Sequence, residues 1–93
     1  MYKVWVEYHI MPESRESYLR FMEKKLRDYK HLELYEGTDQ PGLFVEQWDA
    51  LDHEEYLLLK GRRKDEDEEE WAEFTGYVKG GISKINIWHF TQI

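Results

Sequence analysis

The stretch YKVWVEYHI, residues 2–10, decides the fold because its side chains alternate strictly between two kinds. One side of such a strand is apolar or aromatic: Tyr2, Val4, Val6, Tyr8 and Ile10. The other side carries Lys3, Trp5, Glu7 and His9. A period of two predicts a β-strand with different surroundings on its two faces. We expect the apolar side to meet helices. A face bearing Trp, Glu and His is unusual for plain solvent.

The rest of the chain adds three strands and two helical regions. Pro12 opens an amphipathic helix that runs to about Tyr29, and Asp52 caps a second helix. Strands are predicted at His31–Glu36, Leu43–Asp49 and Ile82–Thr91, with a further helical stretch after residue 70. The order is β-α-β-β-α-β, which predicts one ferredoxin-like α+β domain over residues 1–93. Its four-stranded antiparallel sheet has the order 4-1-3-2, with helices on one face.

Parity within each strand predicts which side chains lie on each face of this sheet. The helix-facing set is Val4, Val6, Tyr8, Leu32, Leu34, Leu43, Val45, Ile85 and Ile87. The opposite, open face is expected to display Trp5, Glu7, His9, Phe44, Glu46, Trp48, Asn86, Trp88 and Phe90.

Composition excludes several classes of protein. The 93 residues include 13 basic and 20 acidic side chains, for a net charge of -7, and no cysteine. There is thus no disulfide, thiol nucleophile or cysteine-ligated zinc site, and the acidic balance argues against nucleic acid. No apolar run approaches the ~20 residues of a membrane span. The first residues are typical of a strand rather than a signal peptide, so we expect a cytoplasmic protein.

The predicted open face carries three Trp and two Phe side chains, an apolar patch that monomers seldom expose. RNA could stack on such aromatics, but Glu7 and Glu46 on the same face and the net charge disfavour it. A small-molecule ligand is a second solution. A homodimer, with two sheets packed face to face, explains the surface best because it covers all the aromatics at once.

The chain resembles the dimeric α/β-barrel superfamily, which holds the antibiotic-biosynthesis-type monooxygenases and NIPSNAP-like proteins. The resemblance rests on YKVWVEY (2–8), the helix after Pro12, LFVEQWD (43–49) leading into a helix, and EWAEF (70–74). It implies a homodimer whose paired sheets enclose a barrel, with a small cavity in each subunit. The haem-degrading members use an Asn, a Trp and a His; Glu7 and Tyr56 occupy the first two places and no His follows. No haem or other cofactor is therefore implied.

The candidate site combines two groups of residues. Glu7, Glu46 and His9 are the candidate catalytic residues, because two nearby carboxylates raise one pKa and can provide a general base. The candidate ligand-binding residues are aromatic or amide side chains: Trp5, Trp48, Tyr56, Asn86 and Trp88. The four histidines have no ligand spacing, so no metal site is predicted. No phosphate loop or dinucleotide motif occurs.

Two functions remain open. The first is a small-molecule enzyme or binding protein for an aromatic or apolar metabolite, which, if catalytic, resembles the cofactor-independent monooxygenases. The second is a non-catalytic dimeric module, structural or regulatory, whose aromatics serve assembly only. The acidic run at residues 65–70 is interpreted as a solvated break that helps to start a helix.

Overall fold

Four antiparallel strands form one sheet in the computed structural model, which describes residues 1–93. The strands are β1 (Tyr2–His9), β2 (Leu32–Glu36), β3 (Leu43–Asp49) and β4 (Asn86–Thr91). Their order is β2-β3-β1-β4, so β1 and β3 are central and the predicted topology is confirmed. The sheet is not closed: β2 and β4 are its two edges.

The two long helices begin where the sequence supplies starting signals. Pro12 opens a 3₁₀ turn that leads into α1 (Arg15–Asp28). Asp52 caps α2 (His53–Arg63): its side chain accepts a hydrogen bond from the backbone N–H of Glu55, whose carboxylate accepts one from the backbone N–H of Asp52. This capping box satisfies two donors that a helix start leaves free. None of the helices is both long enough and apolar enough to cross a membrane.

The segment after α2 contains less regular structure than predicted. Its helix is the single turn α3 (Ala72–Thr75), followed directly by Gly76, a poor helix former. Gly80 and Gly81 have φ angles of 82° and 76°, which glycine adopts without strain. Residues 82–84 then form a 3₁₀ turn, so β4 begins four residues later than predicted.

The strand register fixes which side chains face the helices, because antiparallel partners share a face of the sheet. We call the helix side the covered face and the other side the open face. The buried residues of β1 pair with three residues of β3 that are also buried: Phe44, Glu46 and Trp48. Their predicted place on the open face is therefore wrong. The β3 residues on the open face are instead Leu43, Val45 and Gln47.

The error in β3 has a physical reason. Both alternating sets of this strand contain apolar residues, so alternation alone does not say which set is inner. Glu46 favoured the open face, because acidic side chains are seldom buried without a partner. The structure supplies that partner, Arg63 of α2. On the other three strands the predicted parity is confirmed, with Leu32, Ile85 and Ile87 buried beneath the helices.

Candidate functional site

A groove of about 530 Å³ separates the C-terminal end of α1 from α2. Its apolar lining comes from five side chains: Tyr29, Trp48, Leu51, Leu58 and Leu59. Charged and polar side chains surround them: Asp28, Lys30, His31, Glu55 and Arg62. The volume lies within the range of ~300–1,000 Å³ that small-molecule sites usually have. The groove is therefore of a size suited to a small apolar molecule.

Trp48 from the central strand β3 lines this groove together with Tyr29. The two ring centroids are 5.0 Å apart in an edge-to-face arrangement, a favourable geometry for aromatic pairs. Trp48 is only 5% exposed, so the core holds its ring in place and it contributes a small part of the groove surface. Of the predicted ligand-binding residues, it is the one that lines the groove.

Beneath the groove, the Glu46 carboxylate is the centre of a buried polar network. Arg63 binds it in a bidentate manner, with Nη1 and Nη2 donating to Oε1 and Oε2 at 2.7 and 2.8 Å. The Trp48 indole N–H donates to Oε1 at 2.9 Å, and the Tyr8 hydroxyl donates to Oε2 at 2.6 Å. The Tyr18 hydroxyl lies 2.7 Å from that of Tyr8. Glu46 thus has four internal hydrogen-bond donors and no exposed surface.

Aromatic rings enclose the Arg63 guanidinium. Its central carbon lies 3.7 Å from the ring centroid of Trp71 and 4.6 Å from that of Phe74, which are cation–π distances. Only its Nε lacks a hydrogen-bond partner. Sequence reasoning missed Arg63, although a signal was available: Tyr56, Leu59 and Arg63 follow the helical spacing of one inner stripe on α2. An arginine at such a position indicates a buried acidic partner.

Electrostatics hold the two tyrosine hydroxyls and the guanidinium of this network in one protonation state each. Burial, reinforced by the charge of Glu46, raises the pKa of Tyr8 and of Tyr18. Burial alone would lower the pKa of Arg63, but the charge and hydrogen bonds of Glu46 outweigh it and raise that pKa. The two hydroxyls therefore remain protonated and the guanidinium remains charged at neutral pH.

The other predicted site residues lie on the open face, apart from Tyr56. Glu7 accepts a 3.3 Å hydrogen bond from the Asn86 amide. Trp5 and Trp88 are partners on neighbouring strands and are 40% and 43% exposed. His9 lies at the end of β1 on the same face. Because Glu46 lies on the covered face, the prediction that Glu7 and Glu46 share a site is wrong.

Tyr56 belongs to a separate surface cluster. Its ring stacks on that of His89 with centroids 4.8 Å apart, and the Tyr2 ring also stacks on His89, at 5.1 Å. His53 lies beside both rings of the first pair. No three His, Asp or Glu side chains of the chain are grouped so that they could hold a metal ion.

Solved structures with this fold exist, although no family model matches the chain and no curated protein matches its sequence. A crystal structure of an antibiotic biosynthesis monooxygenase superposes with a TM-score of 0.76 at 14% identity, covering 100% of this chain and 99% of that one. A Bordetella bronchiseptica protein, provisionally described as the same kind of enzyme, gives 0.73 at 10% identity over 99% and 96%. A conserved Methanosarcina mazei protein gives 0.68 at 13% identity over 99% and 92%. The resemblance seen in the sequence is thus confirmed for the fold.

Proposed function

We propose that the protein binds an aromatic or apolar small molecule in the groove between α1 and α2. The observation that carries this proposal is the groove itself, which combines a suitable volume with two aromatic rings and three leucines. A mostly apolar concavity with a few polar groups is the usual form of a small-molecule site. The wide range of functions on one fold means that the site, not the fold, must support the proposal.

The reaction class we propose is cofactor-independent oxygenation, by analogy with the monooxygenases that share the fold. In such a reaction the protein orients an electron-rich ring and excludes water, while the substrate itself reduces oxygen. Tyr29 and Trp48 are suited to orient a ring by edge and face contacts. A ligand in the groove cannot reach the open face of the sheet. Glu7 and His9 (for proton transfer) and Trp5, Asn86 and Trp88 (for ligand contact) therefore stay candidates for a separate site, enclosed between two paired open faces.

We further infer that two copies pair through their open faces. Four large aromatic side chains on this face remain substantially exposed in one chain, and packing two sheets together would remove them from water. They lie on β1, β2 and β4: Trp5, Tyr35, Trp88 and Phe90. Native mass spectrometry of the purified protein is the test, and a monomer would contradict the inference. The same spectrum reports any small molecule that co-purifies.

A matched pair of leucines on α2 tests the groove. Leu58 lines the groove and Leu57, the next residue, does not; both are more than half exposed. We expect Leu58→Asp to weaken the binding of naphthol, a neutral fused-ring probe, about tenfold or more in isothermal titration calorimetry. Leu57→Asp should bind naphthol like the unchanged protein. Equal losses in both variants, or no binding by the unchanged protein, would contradict the proposed site.

The second candidate function is a non-catalytic dimeric module. The structure of the interior favours this function, because both oxygens of the Glu46 carboxylate already accept hydrogen bonds within the chain. Aromatic rings also enclose its Arg63 partner. A dimer that binds neither naphthol nor a co-purifying molecule would support this function over the first.

A further inference from the structure

Glu70, the last residue of the acidic run, connects the two walls of the groove. Its Oε2 accepts hydrogen bonds from the hydroxyl of Tyr29 and from Nζ of Lys25, the latter at 3.0 Å. Its Oε1 accepts one from Nη2 of Arg62. Lys25 and Tyr29 belong to α1 and its C-terminal cap, and Arg62 belongs to α2. One carboxylate therefore bridges two helices that face each other across the groove.

The surroundings make this bridge stronger than an ordinary surface ion pair. The side chain of Lys25 is 9% exposed and that of Glu70 is 24% exposed. The Lys25 ammonium also lies 5.1 and 4.9 Å from the ring centroids of Phe21 and Trp71. Burial works to raise the pKa of Glu70, but hydrogen bonds from Tyr29, Lys25 and Arg62 outweigh it and lower that pKa to about 2.

The chain also fixes the position of Glu70 itself. Trp71, the next residue, is 2% exposed and packs against Phe21, Trp48 and Phe74. The carboxylate thus projects from a backbone that the core holds in place. Charge-assisted hydrogen bonds to such a fixed acceptor constrain the groups that donate them.

We propose that Glu70 is a positioning residue that sets the width of the groove and aims the Tyr29 ring at Trp48. The proposal rests on the ligand groove described above and adds that the Glu70 bridge fixes the distance between α1 and α2. It also specifies the preferred charge of the ligand. The charged side chains that line the groove are two acidic ones, Asp28 and Glu55, and two basic ones, Lys30 and Arg62. Glu70 adds a negative charge at Arg62, so the groove favours an uncharged aromatic molecule over an aromatic anion.

The neighbouring acidic residues provide a matched control. Glu68 also accepts a hydrogen bond from Arg62, at 3.2 Å, and one from the backbone N–H of Glu70, but it forms no hydrogen bond or ion pair with α1. Glu68→Gln removes one negative charge close to the groove, keeps an oxygen that can accept these hydrogen bonds, and leaves the bridge intact. Glu70→Gln removes a negative charge from the same segment and weakens the bridge. A difference between the two variants reports the bridge rather than the net charge.

The experiment compares naphthol with naphthoate, its anionic counterpart, by isothermal titration calorimetry. The unchanged protein and Glu68→Gln should prefer naphthol. Glu70→Gln should bind naphthol about tenfold more weakly and shift the naphthol-to-naphthoate affinity ratio towards naphthoate. Tyr29→Phe, which keeps the ring and loses one hydrogen bond, should show a smaller loss for naphthol with no shift in the ratio.

Hydrogen exchange of the same variants tests the bridge without any ligand. In Glu70→Gln the amides of α2 and of the last turn of α1 should exchange faster together, and in Glu68→Gln they should not. Unchanged exchange in Glu70→Gln, or equal acceleration in both variants, would overturn the proposal. If the unchanged protein binds neither probe, the ligand site fails, and exchange alone decides whether Glu70 holds the two helices together.

Discussion

The two faces of the sheet carry the same kinds of side chain in different surroundings. On the covered face, Glu46 and Trp48 are buried, and Glu46 accepts four hydrogen bonds from within the chain. On the open face, Glu7 accepts one from the Asn86 amide and Trp5 remains 40% exposed. The comparison teaches that a Glu–Trp pattern in a strand does not identify a site. What matters is whether the chain itself satisfies the carboxylate.

The largest predicted effect is a loss of stability when the buried ion pair on the covered face is broken. Arg63→Met removes the cation and leaves the Glu46 carboxylate buried without its bidentate partner. Breaking a buried ion pair in this way typically costs about 3–5 kcal/mol of unfolding free energy. We expect a loss of that size in chemical denaturation.

The control for Arg63 is another arginine in an ion pair. Arg27 pairs with Glu23 on the exposed side of α1, so Arg27→Met should change the free energy of unfolding by less than about 0.5 kcal/mol. The double variant Glu46→Leu/Arg63→Met removes both charges and should recover part of the loss; the Trp48 indole N–H and the Tyr8 hydroxyl still lose their acceptor. If Arg63→Met costs no more than Arg27→Met, Arg63 does not have the structural role assigned to it.

The second effect concerns the open face and the association of two chains. Trp88→Glu places a charge in the proposed interface, beside Trp5 of the central strand β1. Because buried aromatic residues each contribute about 2 kcal/mol or more to many interfaces, we expect the dimer to weaken on the order of 30-fold or more. Sedimentation equilibrium measures the change, and far-ultraviolet circular dichroism checks that the fold is retained.

A leucine outside the open face controls for a general effect of added charge. Leu57 on α2 is 51% exposed and lies on the helix side of the sheet. Leu57→Glu should leave the dimer unchanged. If Leu57→Glu dissociates the dimer and Trp88→Glu does not, two copies pair through the helices and not through the open face.

The difference between the faces also shows how far the sequence could lead. Strict alternation in β1, the turn signals and the capping residues Asp52 and Glu55 were enough to predict the topology. They could not predict the inner side of β3, since that depends on Arg63, a contact across 17 positions of the chain. The groove was not predictable either, because its lining comes from the end of α1, from β3 and from α2. Local patterns contain no information on how far apart two helices pack.

The third effect is a pH dependence of the free energy of unfolding, which comes from Glu70 in the helix layer over the covered face. Glu70 has a folded-state pKa of about 2, below the ordinary value of 4.5. Its contribution is therefore fully present above pH ~4.5 and is lost as the pH falls towards ~2; after allowance for solvent screening it amounts to about 1 kcal/mol. Denaturation curves at a series of acidic pH values measure it, and Glu70→Gln should flatten the dependence. A Glu70→Gln curve parallel to that of the unchanged protein would show that other carboxyls account for the loss.

The smallest effect returns to the open face. Glu7→Gln keeps the size of the side chain and can still accept a hydrogen bond from Asn86, so the free energy of unfolding of a single chain should change by less than about 0.5 kcal/mol. Association should respond differently. In a dimer formed through this face the Glu7 carboxylate would be removed from water, with the Asn86 amide as its hydrogen-bond donor. Burial of a charge is unfavourable without an opposite charge. Glu7→Gln should therefore tighten the dimer about threefold, measured by sedimentation equilibrium. A weaker dimer would instead show that the partner chain supplies a cation to Glu7. The open face would then resemble the covered face, with its carboxylate satisfied by a second copy rather than by the same chain.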